Sequence, residues 1–117
     1  MTEKELAYQI HGAAWDVYNV LGPGLLESIY EEALCYELQQ RGLKVERQKP
    51  VPIIYKGITL SSNFRLDLLV EDQIILELKS TEEIKAVYFK QIKTYLRLLN
   101  KQLGFLINFG EYDMRKG

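Results

Sequence analysis

The first forty residues carry a helical pattern of apolar positions in two blocks. Thr2 and Glu5 have the spacing of a capping box, and apolar residues then recur at intervals of three and four. This pattern predicts a first helix over residues 3–20. The segment "LGPG" interrupts the pattern, and Pro23 suits the start of a second helix that runs to about Gln40.

From residue 43 onwards the pattern changes to the alternation expected of strands. The predicted elements are a strand in "LKVERQ" (43–48), two short strands around Lys56–Gly57, strands in "NFRLDLLV" (63–70) and "QIILELKS" (73–80), a helix over 82–100 opened by a Ser80–Glu83 capping box, and a strand in "LGFLINF" (103–109). The polar residues 111–117 are expected to form a poorly ordered tail.

This order of elements is that of an α/β or α+β domain with a central β-sheet flanked by helices. The length of 117 residues predicts a single domain spanning residues 1–117. The helix between the strands at 74–80 and 103–109 predicts a right-handed crossover with those two strands parallel.

Composition excludes several classes of protein. The chain is 47% hydrophobic, but no apolar run is long enough to span a bilayer, and the N-terminus lacks the layout of a signal peptide. A single cysteine, Cys35, excludes an internal disulfide and a cysteine-based zinc site, so a reducing cytoplasm is expected. The net charge is −1, although residues 79–117 hold 8 basic and 4 acidic side chains, a weak indication of a polyanion-facing surface.

Three charged residues stand in two otherwise apolar strands. Glu77 and Lys79 are two residues apart and share a strand face, and a hairpin centred on Asp72 places Asp67 opposite Glu77. Two apposed carboxylates need a cation, which Lys79 or a divalent metal such as Mg²⁺ supplies. The alternatives are a register shifted by one residue or a solvated face.

The helices add candidates near these strands. Glu27 lies at the edge of the apolar stripe of the second helix, where a first-turn acid favoured by the helix dipole is the alternative. Gln91 and Tyr95 point together on the inward face of the third helix, and Lys90 and Lys93 can contact phosphates. For these two lysines the alternative is a solvated helix face.

The segment "GLLESIY" (24–30) resembles the signature of the GxxExxY proteins, and the resemblance extends from about residue 13 to 110. That family is assigned to the PD-(D/E)XK nuclease superfamily. The resemblance implies a restriction-endonuclease-like core, in which a mixed sheet is flanked by helices.

The resemblance also implies roles for individual residues. Asp67 is similar to the motif aspartate, and Glu77 with Lys79 to the E-x-K pair. Glu27 and the Leu78 carbonyl would help to bind the metal. Gln91 and Tyr95 correspond to the Q-x-x-x-Y element. Two departures are Leu66, where the superfamily name has proline, and Tyr88, where relatives often carry histidine.

These implications predict a nuclease that uses Mg²⁺ or Mn²⁺ to hydrolyse phosphodiester bonds, with DNA favoured over RNA. Asp67, Glu77, Lys79, Gln91 and Tyr95 would be catalytic. One alternative is a nuclease fold that binds nucleic acid or serves as an accessory subunit without cleavage. Another is an oligomerisation protein, since eight tyrosines and a short chain are compatible with a homodimer.

Overall fold

The computed structural model describes residues 1–61 and 63–117. The helices are α1 (Glu3–Leu21), α2 (Glu27–Gln40) and α3 (Ala86–Leu99). The strands are β1 (Val45–Pro50), β2 (Ile54–Tyr55), β3 (Ile58–Thr59), β4 (Arg65–Val70), β5 (Ile74–Lys79), β6 (Leu103–Asn108) and β7 (Asp113–Lys116).

Five strands form one sheet in the order β1-β4-β5-β6-β7, and β2 pairs with β3 in a separate hairpin. All neighbours in the large sheet are antiparallel except β5 and β6, which are parallel and connected through α3. The prediction of an α+β fold with a parallel crossover is therefore confirmed. None of the helices in the described residues is both long and apolar enough to cross a membrane.

The sheet buries apolar side chains on both of its faces. One face packs against α1 and α2 through Leu68, Val70 and Leu76. On the other face, Leu69 and Ile75 pack against Tyr95 of α3. Because successive strand residues point to opposite faces, Asp67 and Glu77 belong to the face covered by α3.

The capping box of α1 is present, with Thr2 and Glu5 bonded to each other's backbone N–H. The second helix begins later than the sequence predicts, at Glu27 instead of Pro23. Tyr30 explains the difference, because its hydroxyl donates to the Gly22 carbonyl and accepts from the Leu25 N–H at 3.1 Å. These bonds hold the preceding residues in a loop instead of a helical turn.

The third helix also begins later than predicted, at Ala86, and no Ser80–Glu83 capping box forms. The Ser80 hydroxyl donates to the Leu25 carbonyl, and the buried Asn108 side chain bonds both the N–H and the C=O of Thr81. Tertiary hydrogen bonds thus hold this segment outside the helix.

The expectation of a poorly ordered tail at 111–117 is wrong. Residues Asp113–Lys116 form β7, which pairs with β6. Tyr112 anchors the turn before it, because its ring packs against Trp15 with centroids 5.0 Å apart and against Tyr18 at 5.2 Å. Burial raises the pKa of Tyr112 to about 12.

Candidate active site

The site lies where β4 and β5 stop pairing. Backbone pairing runs from Val70–Ile74 to Leu68–Leu76, and the same register continued by one position sets Asp67 opposite Glu77. There the Asp67 carboxylate accepts the Leu78 N–H at 2.7 Å, in place of a backbone carbonyl of β4. Since the N–H and C=O of one strand residue point to the same neighbour, the Leu78 carbonyl lies on the Asp67 side of β5.

Glu77 is buried with only 6% of its surface exposed. Among the described residues, its Oε1 is the buried side-chain oxygen without a hydrogen-bond partner. Burial, and secondly the charge of Asp67, raise the pKa of Glu77 to about 9. The carboxyl group is therefore held neutral near pH 7 unless a cation approaches it.

Lys79 follows Glu77 on the same face, and its charge opposes the rise of the Glu77 pKa. The Lys79 Nζ lies 4.4 Å from the ring centroid of Tyr88 on α3, within the range of a cation–π interaction. The Tyr88 ring therefore limits the positions of the Lys79 ammonium group.

Gln91 and Tyr95 face the site from α3, one helical turn apart. The Gln91 amide donates to the Tyr95 hydroxyl at 2.8 Å, so the tyrosine proton remains available to another acceptor. Burial, and secondly the nearby Glu77, raise the pKa of the Tyr95 hydroxyl. The Tyr95 hydroxyl therefore lies near both Glu77 and Asp67 and is bonded to Gln91.

Sequence reasoning missed Glu31 and Gln48, which connect α2 to the site. Glu31 is buried and accepts from Arg47 at 3.1 Å and from the Gln48 amide. The same Gln48 amide is 3.4 Å from the Asp67 carboxylate. Gln48 can reach both acids because its backbone is left-handed, with φ 50°, where the pairing of β1 with β4 is interrupted.

A signal for Glu31 was present in the sequence. Glu31 precedes Leu34, Cys35 and Leu38 by three, four and seven residues, so it belongs to the buried stripe of α2. No sequence signal marks the left-handed backbone of Gln48, since this conformation is uncommon for a residue other than glycine.

The structure does not bring Glu27 into a cluster with Asp67 and Glu77. Glu27 is exposed in the first turn of α2, where a negative charge is favoured by the helix dipole. Within residues 1–61 and 63–117, no three acids, histidines or cysteines are grouped closely enough to hold a metal ion. Glu27 therefore lies apart from the Asp67–Glu77 pair, and metal binding by Glu27 stays a prediction.

Lys90 and Lys93 are exposed on α3, on the same side of the sheet as the site. Both are accessible to a phosphate, and exposure agrees equally with a solvated helix face. Their contact with nucleic acid stays a prediction.

Comparison with known proteins shows which family this chain belongs to. The model of the PD-(D/E)XK nuclease superfamily matches residues 4–117. The chain belongs to this superfamily. No curated protein and no solved structure matches the chain significantly.

PD-(D/E)XK nucleases generally depend on a divalent metal and act on nucleic acid, and two features of this chain fit such an ion. The unpartnered Glu77 oxygen and the raised Glu77 pKa both fit a buried carboxyl group that could bind a divalent cation. Two carboxylates are also the number that Mg²⁺ commonly takes from a protein, since this ion retains several waters and binds substrate phosphates.

Proposed function

We propose that this protein is a metal-dependent nuclease that hydrolyses phosphodiester bonds, and that it belongs to the GxxExxY group within its superfamily. The observation that carries the proposal is the pair formed by Asp67 and the buried Glu77, whose Oε1 has no partner among the described residues. A buried acid beside a second acid is costly for stability and is typical of a functional site.

Asp67, Glu77 and the Leu78 carbonyl would hold Mg²⁺ or Mn²⁺. When bound, such an ion lowers the pKa of a coordinated water and offsets negative charge on the phosphoryl oxygens. Asp67 is preorganised for this role, because the Leu78 N–H and the Gln48 amide hold its two oxygens in place. Glu31 in turn holds Gln48 in place, because the same Gln48 amide nitrogen also donates to the Glu31 carboxylate.

Lys79 would stabilise the charge that develops on the phosphoryl group, or orient the attacking water. Its stem leaves β5 beside Glu77, and the Tyr88 ring limits the positions of the ammonium group. Tyr95 would donate its free hydroxyl proton to a phosphate oxygen, with Gln91 fixing the direction of that hydroxyl.

The GxxExxY signature has a structural explanation here that supports the subfamily proposal. Gly24 has φ +100°, which a residue with a side chain rarely adopts, and Tyr30 ties the loop to α2. The Tyr30 ring also stacks on Phe109 with centroids 4.5 Å apart. The motif therefore fixes the position of α2, which carries Glu31.

The test is a cleavage assay with Mg²⁺ and Mn²⁺ on single-stranded, double-stranded and flapped DNA and RNA. Lys79→Ala and Asp67→Asn should lose metal-dependent cleavage by about a hundredfold or more while retaining the fold. Lys4→Ala, which removes an exposed lysine from α1, is the matched control and should cleave like the wild type. Undiminished cleavage by Lys79→Ala would contradict the proposal.

A second candidate function is binding of nucleic acid without cleavage, since fold alone does not fix activity. The observation that favours it is Tyr88, which engages the Lys79 ammonium through its ring. Calorimetric titration with Mn²⁺ distinguishes the two functions. A catalytic site should bind the ion in a manner abolished by Asp67→Asn, whereas a pure binding module should show no such binding.

A further inference from the structure

The hairpin of β2 and β3 extends the β1–β4 pair beyond the main sheet. The Val51 N–H donates to the Phe64 carbonyl, and the Leu60 N–H donates to the Ile53 carbonyl, so backbone bonds continue towards the tip. The tip is the turn Lys56–Gly57, in which both residues have positive φ, as in a tight two-residue hairpin. These strands form a ribbon that ends in solvent.

The ribbon exposes large apolar side chains that would ordinarily be buried. Their exposed fractions are 64% for Ile54, 57% for Tyr55, 63% for Ile58, 43% for Leu60 and 51% for Phe64. Such a concentration within eleven residues makes the ribbon a candidate interaction surface.

One face of the ribbon is continuous with the candidate active site. Ile53 and Phe64 border a cavity of about 170 Å³ whose other walls include Gln91 and Tyr95. Tyr55 lies two residues beyond Ile53 and pairs directly with Ile58, so these side chains share a face. We call Ile53, Tyr55, Ile58 and Leu60 the ribbon face.

The two segments that contain the ribbon and α3 carry basic and no acidic side chains. Residues 47–66 contain four basic and no acidic side chains, and residues 84–110, which include α3, contain five basic and no acidic side chains. Arg47, Lys49 and Lys101 form ion pairs with Glu31, Glu46 and Asp72. The other basic residues of the two segments are Lys56, Arg65, Lys85, Lys90, Lys93 and Arg97.

We propose that the ribbon face binds the bases of a single-stranded polynucleotide, with Tyr55 as the stacking residue, and leads the strand to the Asp67–Glu77 site. The proposal rests on the proposed function and deepens it by naming a single strand as the substrate. Exposed aromatic and apolar side chains beside basic side chains are the combination that binds unpaired bases and phosphates together. A duplex hides its base faces, so it offers nothing for Tyr55 to stack on.

Fluorescence anisotropy with labelled oligonucleotides tests the proposal on the full chain. Single-stranded DNA, single-stranded RNA and a blunt duplex of equal length are compared in EDTA, which prevents cleavage. Tyr55→Ala should weaken single-strand binding by about 5- to 100-fold and leave duplex binding within about twofold. Tyr55→Trp should retain single-strand binding, because it keeps an aromatic surface.

Tyr36→Ala is the matched control, since Tyr36 on α2 is 59% exposed but lies among acidic residues. It should bind like the wild type. Equal affinities of Tyr55→Ala and the wild type for single strands would overturn the proposal, as would equal weakening with the duplex. A wild type that binds no oligonucleotide would overturn it in favour of a protein partner on the ribbon.

Failure of this proposal differs from failure of the proposed function. If cleavage requires Lys79 but single-strand binding does not depend on Tyr55, only the proposed role of the ribbon face is overturned. Single-strand binding that requires Tyr55, in a protein that cleaves nothing with either metal, would support the ribbon face and overturn the nuclease.

Discussion

At the scale of single residues, the buried carboxyl group of Glu77 makes the stability of the protein depend on pH. Its pKa is about 9 in the folded chain against an ordinary value of 4.5, so the folded state binds more protons between these values. Without metal, the free energy of unfolding should therefore fall as pH rises through this window. Urea unfolding in EDTA at about pH 5, 7 and 8.5 measures this decline.

Glu77→Gln supplies the control for this prediction, because the amide does not titrate. Its unfolding midpoint should change less with pH than that of the wild type. A divalent metal should also reverse the trend for the wild type, since an ion favours the charged carboxylate. Equal pH slopes in the two proteins would show that Glu77 is not the group responsible.

Glu31 and Glu27 form a matched pair one helical turn apart. Glu31→Gln leaves Arg47 without its ion pair to a buried acid and disturbs the contact between Gln48 and Asp67. It should cost about 1–3 kcal/mol of stability and about 10- to 100-fold in Mn²⁺ affinity. Denaturant unfolding and calorimetric titration measure the two effects.

Glu27→Gln should stay within about 0.5 kcal/mol of the wild type in stability, because the side chain is exposed. Its Mn²⁺ affinity should be close to that of the wild type. A larger loss for Glu27→Gln than for Glu31→Gln would restore Glu27 as the helix acid of the site.

The sequence predicts the strand residues of the site well and the connecting residues poorly. Alternation alone places Glu77 and Lys79 together, and hairpin register sets Asp67 opposite Glu77. Gln48 could not be predicted, because its role depends on a left-handed backbone within a strand. The alternation of apolar and polar residues shows which strand face a side chain occupies. The contact of Gln48 with Asp67 depends instead on an interruption of the pairing between β1 and β4.

At the scale of elements, the residues that follow β6 pack directly against the backbone of the segment between β5 and α3, and no space is left there for a side chain. A Cβ on Gly110 would overlap the backbone N and O of Thr81. Gly110→Ala should therefore destabilise the protein by about 3 kcal/mol or more, since backbone atoms cannot move aside cheaply. Thermal unfolding monitored by circular dichroism measures the loss.

Gly12→Ala is the control for that substitution. Gly12 lies inside α1, and the added Cβ would meet the Arg41 guanidinium at 3.1 Å, which is the end of a flexible side chain. Alanine is also the better helix former, so the change should be within about 1 kcal/mol in either direction. Equal destabilisation by both substitutions would contradict the role given to the Gly110 contact.

The sequence predicts the elements that have strong periodicity or local caps. It does not predict the element boundaries that are determined by tertiary hydrogen bonds. The first helix follows from its apolar spacing and its capping box. The starts of α2 and α3 depend on Tyr30 and Asn108, which act across the fold. The strand β7 has a polar sequence, and aromatic packing on Tyr112 places it.

At the scale of the whole molecule, the segments that contain the ribbon and α3 hold basic and no acidic side chains, whereas α1 and α2 hold all seven acids of the first forty residues. Binding of nucleic acid should therefore weaken as salt rises. Replacing both Lys90 and Lys93 with Gln should lower the slope of log affinity against log salt by about 1 per lysine. Anisotropy titrations at several salt concentrations measure this slope.

Lys4→Gln combined with Lys44→Gln is the matched double variant. These lysines carry the same charge but lie outside the two acid-free segments. Their removal should leave the slope unchanged. Equal changes in the two double variants would show that the charge asymmetry does not orient the nucleic acid.

The two outer strands of the sheet also bear on self-association. An open edge invites strand addition by another chain, and charged side chains or proline discourage it. The outer strand β1 carries Glu46 and Lys49 and ends at Pro50, and β7 carries Arg115 and Lys116. Edge-to-edge growth into fibrils or extended sheets is therefore disfavoured.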